Sequence, residues 1–162
     1  MKPEIKPIKR SKQLAPLSRE HHDGLLFAWK IRQGLENGTP LEEMRKYTMW
    51  FWQQHIKPHF FKEEKILMPY MPSAHPMSVR LKEEHDYIRE LILGLDDEAE
   101  KQTLISLCDL FDKHIRFEER ELFGYIEGLL SEEKLDDVFQ ELEKYPVIYT
   151  EEWKDEFWVK KN

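Results

Sequence analysis

The 162 residues carry 32 acidic and 25 basic side chains, a formal charge of -7, which suits a single domain with a sizeable core and argues against a nucleic-acid-binding surface. The single Cys108 excludes an internal disulfide and a Cys-rich metal site, and it reads as a small buried hydrophobe in a reducing, cytoplasmic setting. No stretch approaches the roughly 18 apolar residues of a membrane span, and MKPEIKPIKRSK does not lead into the apolar run of a signal peptide.

Residues 1–16 read as a basic N-terminal arm, in which Lys2, Lys6, Lys9, Arg10 and Lys12 are opposed only by Glu4 and are expected to be solvated. From there apolar residues recur at helical spacing, and only patches such as VIYT at 147–150 look strand-like, so the fold is expected to be all-α. Pro16 in a first turn, or Ser18 as a cap, opens a first helix that shows Leu25, Ala28, Ile31 and Leu35 near one face and stops at Asn37-Gly38. Thr39-Pro40-Leu41-Glu42 forms a capping box for a second helix over about 40–68. That helix must absorb Pro58, which predicts a kink or bulge near 54–58. MPSAHPM is a loop, with His75 exposed in it. A third helix covers about 77–94 and ends at Gly94, and Asp96-Asp97 precede a fourth over about 98–127. Ser131 caps a shorter fifth helix that ends before Pro146. In the tail, Trp153 and Phe157 are four residues apart and predict a last helical turn docked on the bundle or on a partner subunit.

Four long helices with short loops predict an up-down-up-down four-helix bundle over 17–130, with the C-terminal helix and tail, 131–162, packed on it. The inward stripe of the fourth helix includes Phe111, His114, Glu118 and Leu122, and that of the second includes Trp52, His55, His59 and Glu63. An imidazole and a carboxylate one turn apart on an apolar face are costly unless a shared cation satisfies them. HFFKEEKILMPY at 59–70 and HIRFEERELFGYI at 114–126 repeat the same phrase, and each is preceded by a helix with an inward His. In the third helix that residue is His85. In the first, His21 and His22 compete; setting LSREH on LKEEH favours His21, because the register that pairs His22 with His85 sets Arg32 against Leu95.

The inventory is therefore His21, His59, Glu63, His85, His114 and Glu118, with His22 and His55 as less certain additions. Four imidazoles and two carboxylates exceed one tetrahedral zinc and suit two metal ions bridged by the glutamates with a position left open. Glu64 and Glu119, one position further on, are expected in solvent or bonded to a neighbouring His. No His has a Glu three residues before it, as a ferritin-like site requires, and HExxH, a Gly-rich phosphate loop and a nucleophile elbow are all absent.

With EHHD at 20–23, HFFKEE at 59–64, EHD at 84–86 and HIRFEE at 114–119, the chain resembles the hemerythrin-like, or HHE cation-binding, family over about residues 17–130. The resemblance implies a four-helix bundle around two Fe ions in an oxo- or hydroxo-bridged diiron centre, with the six residues above as ligands. It implies binding of O2 or a related small ligand, NO or peroxide, for storage, sensing or delivery, or else redox turnover of these molecules with an external electron donor. The chain departs from the respiratory oxygen carriers of that family in two places. Leu81 and Arg89 flank His85 where the carriers place a second His, and the last helix has HxxxE where they have His followed five residues later by Asp. One imidazole is thereby lost unless His22 or His55 supplies it, and an additional open position favours turnover.

Overall fold

The computed structural model describes residues 9–95 and 99–160, and among them every regular element is helical. Helix α1, Ala15–Glu36, has Pro16 in its first turn and no side-chain cap; the Ser18 hydroxyl is turned instead to Glu119. It ends where Gly38, at φ 71°, returns its amide to Leu35 O while Thr39 N reaches Gly34 O, a left-handed closure that favours glycine. Helix α2 spans 41–70 and is preceded by Pro40 in an extended conformation. The expected capping box does not form, because the Thr39 hydroxyl bonds to Phe157 O in the tail. Helix α3, Pro76–Leu93, is capped by His75, whose Nδ1 accepts from Met77 N at 3.1 Å. His75 is half-buried, stacked 4.4 Å from Tyr125, rather than exposed. Helix α4 spans 101–129; Asp96 and Asp97 lie outside the described residues. Helix α5, Glu132–Glu143, is capped by Ser131 as expected.

Three turns of these helices are widened to π geometry. The first, Trp52–Ile56, lies beneath Pro58: Lys57 N reaches back to Trp52 O, and the looser turn relieves the clash and the missing donor that proline imposes. The others, Glu63–Leu67 and Glu118–Leu122, each begin on the inward glutamate of the repeated phrase, so the repeat is structural as well as sequential.

The four long helices run up-down-up-down, and the order of apolar residues along them shows it. One cluster takes residues from the C-terminal parts of α1 and α3 and the N-terminal parts of α2 and α4, among them Phe27, Phe51, Ile88 and Phe111. The other takes the opposite ends, including Leu17, Leu67, Leu81 and Leu122, and is covered by Leu135, Val138 and Leu142 of α5. A layer of buried His and Glu separates the two.

The tail from 144 crosses α2 as an irregular strap and not as the expected helical turn. Its backbone is satisfied from outside: Asn37 Nδ2 donates to Phe157 O and Trp158 O, Trp50 Nε1 to Glu151 O, and Thr150 N bonds to Gln54 Oε1. Phe157 is nonetheless buried, against the face of Gly34 and Met44. At the other end, Arg10 is not solvated as the arm was expected to be. Its Nη1 donates to Glu127 at 2.9 Å and its Nη2 to Glu119 O. Lys2 and Lys6 lie outside the described residues.

Candidate metal centre

Steps of four residues put His59 and Glu63 on the inner face of α2 and His114 and Glu118 on that of α4, while α1 and α3 each present one histidine, His21 and His85. All six are buried, with Glu63, His85 and Glu118 at 0% exposure. Around Glu63 lie His59 Nε2 at 3.3 Å and His85 Nε2 at 3.0 Å; around Glu118 lie His21 Nε2 at 2.6 Å and His114 Nε2 at 2.8 Å. Two sets of four result among the described residues, His21/His59/Glu63/Glu118 and Glu63/His85/His114/Glu118, in each of which one ligand atom per residue lies within 4.8 Å of the others. Both glutamates belong to both sets.

The outer nitrogens are held just as regularly. Each Nδ1–H donates to a carboxylate: His21 to Glu119 and His59 to Glu20 at 2.7 Å, His85 to Glu64 at 2.7 Å, and His114 to Glu84 at 2.8 Å. A proton fixed on Nδ1 leaves the Nε2 lone pair of the neutral ring aimed at the centre, as metal-ligating histidine requires. The expectation of a bond from Glu64 and Glu119 to a neighbouring His is met. Glu20 and Glu84 were not anticipated in this role, although the shared Glu-His pair in LSREH and LKEEH contains them. Each outer carboxylate also has its own partner. Lys62 pairs with Glu20, Arg89 with Glu64 at 2.6 Å and Arg80 with Glu84 at 3.0 Å, while Ser18 donates to Glu119 at 2.8 Å. The halves differ here, since Lys62 is buried in the first whereas Phe117, at the matching position of the second phrase, carries Arg80 stacked 4.0 Å from its ring.

The two less certain candidates stand apart from these sets. His22 is exposed. His55 is buried, but its Nε2 meets the Glu20 carbonyl and its Nδ1 the Tyr149 hydroxyl, both at 2.9 Å.

Without a cation the centre is an array of opposed charges. Burial would push the His21 imidazole down, but the Glu118 carboxylate beside it, with Glu119 and Glu63, holds it well above its ordinary value. His85 is likewise disfavoured by burial and yet raised to about 10 by Glu118, Glu63 and Glu64. Burial pushes Glu118 up, as does neighbouring Glu63, but His114 and His21 bring it down to about 2. His55 runs the other way: burial, with the positive field of His59, lowers it to about 4.

The donors still fit a metal better than they fit one another. Nε2 of His21, His59 and His114, Oε2 of Glu63 and both oxygens of Glu118 are buried without an aligned hydrogen bond, and all of them face the shared interior. Unsatisfied polar atoms at this depth are rare and costly. Imidazole nitrogen and carboxylate oxygen are the donors that divalent first-row metals take.

The model of the hemerythrin HHE cation-binding domain matches residues 14–126 and, in an overlapping match, residues 77–145. No curated protein and no solved structure matches the chain. With the family's model covering most of its length and a buried His/Glu centre compatible with metal in a four-helix bundle, the chain belongs to the hemerythrin HHE cation-binding domain family.

Proposed function

We propose that the protein is a non-haem diiron protein of hemerythrin type that binds O2 or a related small ligand, NO or peroxide. The observation that carries this reading is the sharing of Glu63 and Glu118 between two His pairs. In this assignment His21 and His59 would hold one iron and His85 and His114 the other, with Glu63 and Glu118 available to both. When bound, such a pair of irons supplies coordination positions for a small ligand and one-electron redox chemistry.

The chain's own residues orient and seal the site. Glu119, Glu20, Glu64 and Glu84 fix the four rings and increase their basicity. Phe60, stacked 3.7 Å from the His85 ring, and Phe123, 5.4 Å from that of His21, exclude water and limit proton access. Among the described residues no helix is long and apolar enough to cross a membrane, and the buried Cys108 thiol fits a reducing, cytoplasmic site of action. The 17–130 bundle is read as the metal-binding unit, with residues 131–162 as its cover.

A second reading, a diiron redox enzyme that turns over peroxide, NO or O2 with an external electron donor, is favoured by the donor count. Each set offers four protein donors, which neither His22 nor His55 joins, and would leave a bound metal with room for further ligands. Metal analysis of the purified protein followed by anaerobic reduction and titration with air tests both readings. About two irons per chain with a reversible charge-transfer band supports ligand binding, and two irons with irreversible oxidation supports turnover. No iron after reconstitution overturns both.

A further inference from the structure

His55 is buried beside the His21/His59 half of the centre without holding it, and both its nitrogens are committed. The Glu20 carbonyl can only accept, so His55 Nε2 carries the proton and Nδ1 is left as an acceptor. The Tyr149 hydroxyl of the tail therefore donates to it, at 2.9 Å. Glu20 joins this pair to the centre, since its carboxylate holds His59.

The rings follow one another outward in near-parallel order. His59 and His55 lie 6.2 Å apart at 11°, His55 and Tyr149 6.1 Å apart at 16°, and Tyr149 and Trp50 5.5 Å apart at 16°. Trp153 continues the file at 5.9 Å from Trp50. Tyr149 is 44% exposed, and with Glu20, His55 and Lys62 it lines a solvent-open cavity of about 230 Å³. The other half has a different lining. Among the described residues the aromatic side chains against His85 and His114 are Phe60 and Phe117, which are far harder to oxidise than tyrosine or tryptophan.

Resting on the diiron reading, we infer that Tyr149, with His55 as its proton acceptor and Trp50 behind it, passes single electrons from a one-electron reductant in solution to the His21/His59 side of the centre. Hydrogen peroxide would be the oxidant: two electrons that the irons would supply, with two protons from solvent, would convert each molecule to two waters. Tyr149 then gives one electron to the oxidised centre, and its phenolic proton moves along the hydrogen bond to His55 Nδ1. The products are a neutral phenoxyl radical on Tyr149 and an imidazolium on His55. An electron from Trp50 and the returning proton restore the O–H bond, and the external reductant then refills Trp50. Two such passages balance one peroxide.

The test uses the full chain reconstituted with iron, with ascorbate as reductant, and compares wild type with Tyr149→Phe, which removes one oxygen and keeps the ring stack. Iron content is measured first. Expected are about two irons in both proteins, a tyrosyl electron-paramagnetic-resonance signal after peroxide that is present only in wild type, and re-reduction by ascorbate at least tenfold slower in the variant. Trp50→Phe should keep the radical and prolong its life. Equal iron with an unchanged rate of re-reduction overturns the relay and leaves the diiron reading standing. Loss of iron in Tyr149→Phe would make Tyr149 a structural prop and also overturns the relay. Wild type that takes up no iron overturns the relay and the reading beneath it together.

Discussion

Glu20 of α1 accepts the Nδ1 proton of His59 across the helix interface, at 2.7 Å, while the histidine next to Glu20 in the chain, His21, is held by Glu119 of α4. The same exchange occurs in the second half, where Glu84 serves His114 and its neighbour His85 is served by Glu64. Every histidine of the centre is thus oriented by a helix other than its own.

Removing these carboxylates should weaken metal binding in both halves but cost stability in only one. Glu20→Gln and Glu84→Gln should each lower metal affinity by about 10- to 100-fold. Glu20 also neutralises Lys62, which is buried, and stranding that ammonium should destabilise the chelated protein by about 3 kcal/mol. Glu84 faces Arg80, whose side chain is 45% exposed, so its loss should shift the melting temperature little. Metal titration and thermal unfolding of the two variants check the contrast, which equal melting temperatures would remove.

The two phrases predict a graded loss of metal. His114 belongs to one set of four and Glu118 to both. His114→Ala should lower iron from about two towards about one per chain, and Glu118→Ala should bring it close to zero. Full loading of both variants would refute the ligand assignment.

Rising pH above 6.5 should weaken the chelated form while it strengthens the effect of metal. His85, raised to about 10 from 6.5, contributes stability that is complete below 6.5 and lost as pH rises through about 10. Glu118, lowered to about 2 from 4.5, contributes stability that is complete above 4.5 and lost as pH falls through about 2. His55, lowered to about 4, contributes stability present above 6.5 and lost as pH falls towards 4. The chelated protein should therefore be most stable in the upper part of the pH window from 4.5 to 6.5. Metal must displace protons from the imidazoles, so the rise in melting temperature on adding iron should grow with pH. Melting curves taken from pH 4 to 9 with and without chelator decide it, and a chelated protein that gains stability steadily up to pH 9 contradicts the sign.

The strap has its own weak point. A methyl group at Gly34 would sit 2.7 Å from the Phe157 ring and 2.8 Å from Met44 Sδ. Gly34→Ala should push Phe157 out at a cost of about 1 to 3 kcal/mol, the usual range for overpacking. The expected outcome is a red shift of tryptophan fluorescence and early proteolysis beyond residue 144 while the helical signal persists. Unchanged protease resistance would show that the strap is held elsewhere.

Much of this organisation is legible in the sequence because it depends on spacing. Helical periodicity placed the four long helices, and the repeated HxxxEE phrase marked the two paired carboxylates that the structure brings together. Of the two competing residues, His21 is buried and His22 is exposed. What spacing does not carry is direction across an interface. Glu20 and Glu84 stand beside inward histidines in the sequence but serve histidines about 30 to 40 positions away. The widened turn under Pro58 has a proline to announce it, whereas that at Glu118–Leu122 has none. In the tail, the i,i+4 pair of Trp153 and Phe157 suggests a helical turn, but Asn37 just beyond α1 and Trp50 and Gln54 of α2 bond to its backbone instead.

The sharing of Glu118 has a consequence for biosynthesis. Helices α1 and α2 carry two histidines and one glutamate, and α3 and α4 carry the same, yet neither set of four is complete without a glutamate from the other pair. Glu118 is the last of the six in the chain, and both sets need it. A nascent chain stalled before that residue has no complete set at all. If the centre holds two irons as proposed, neither can be fully held until the two helical hairpins have docked.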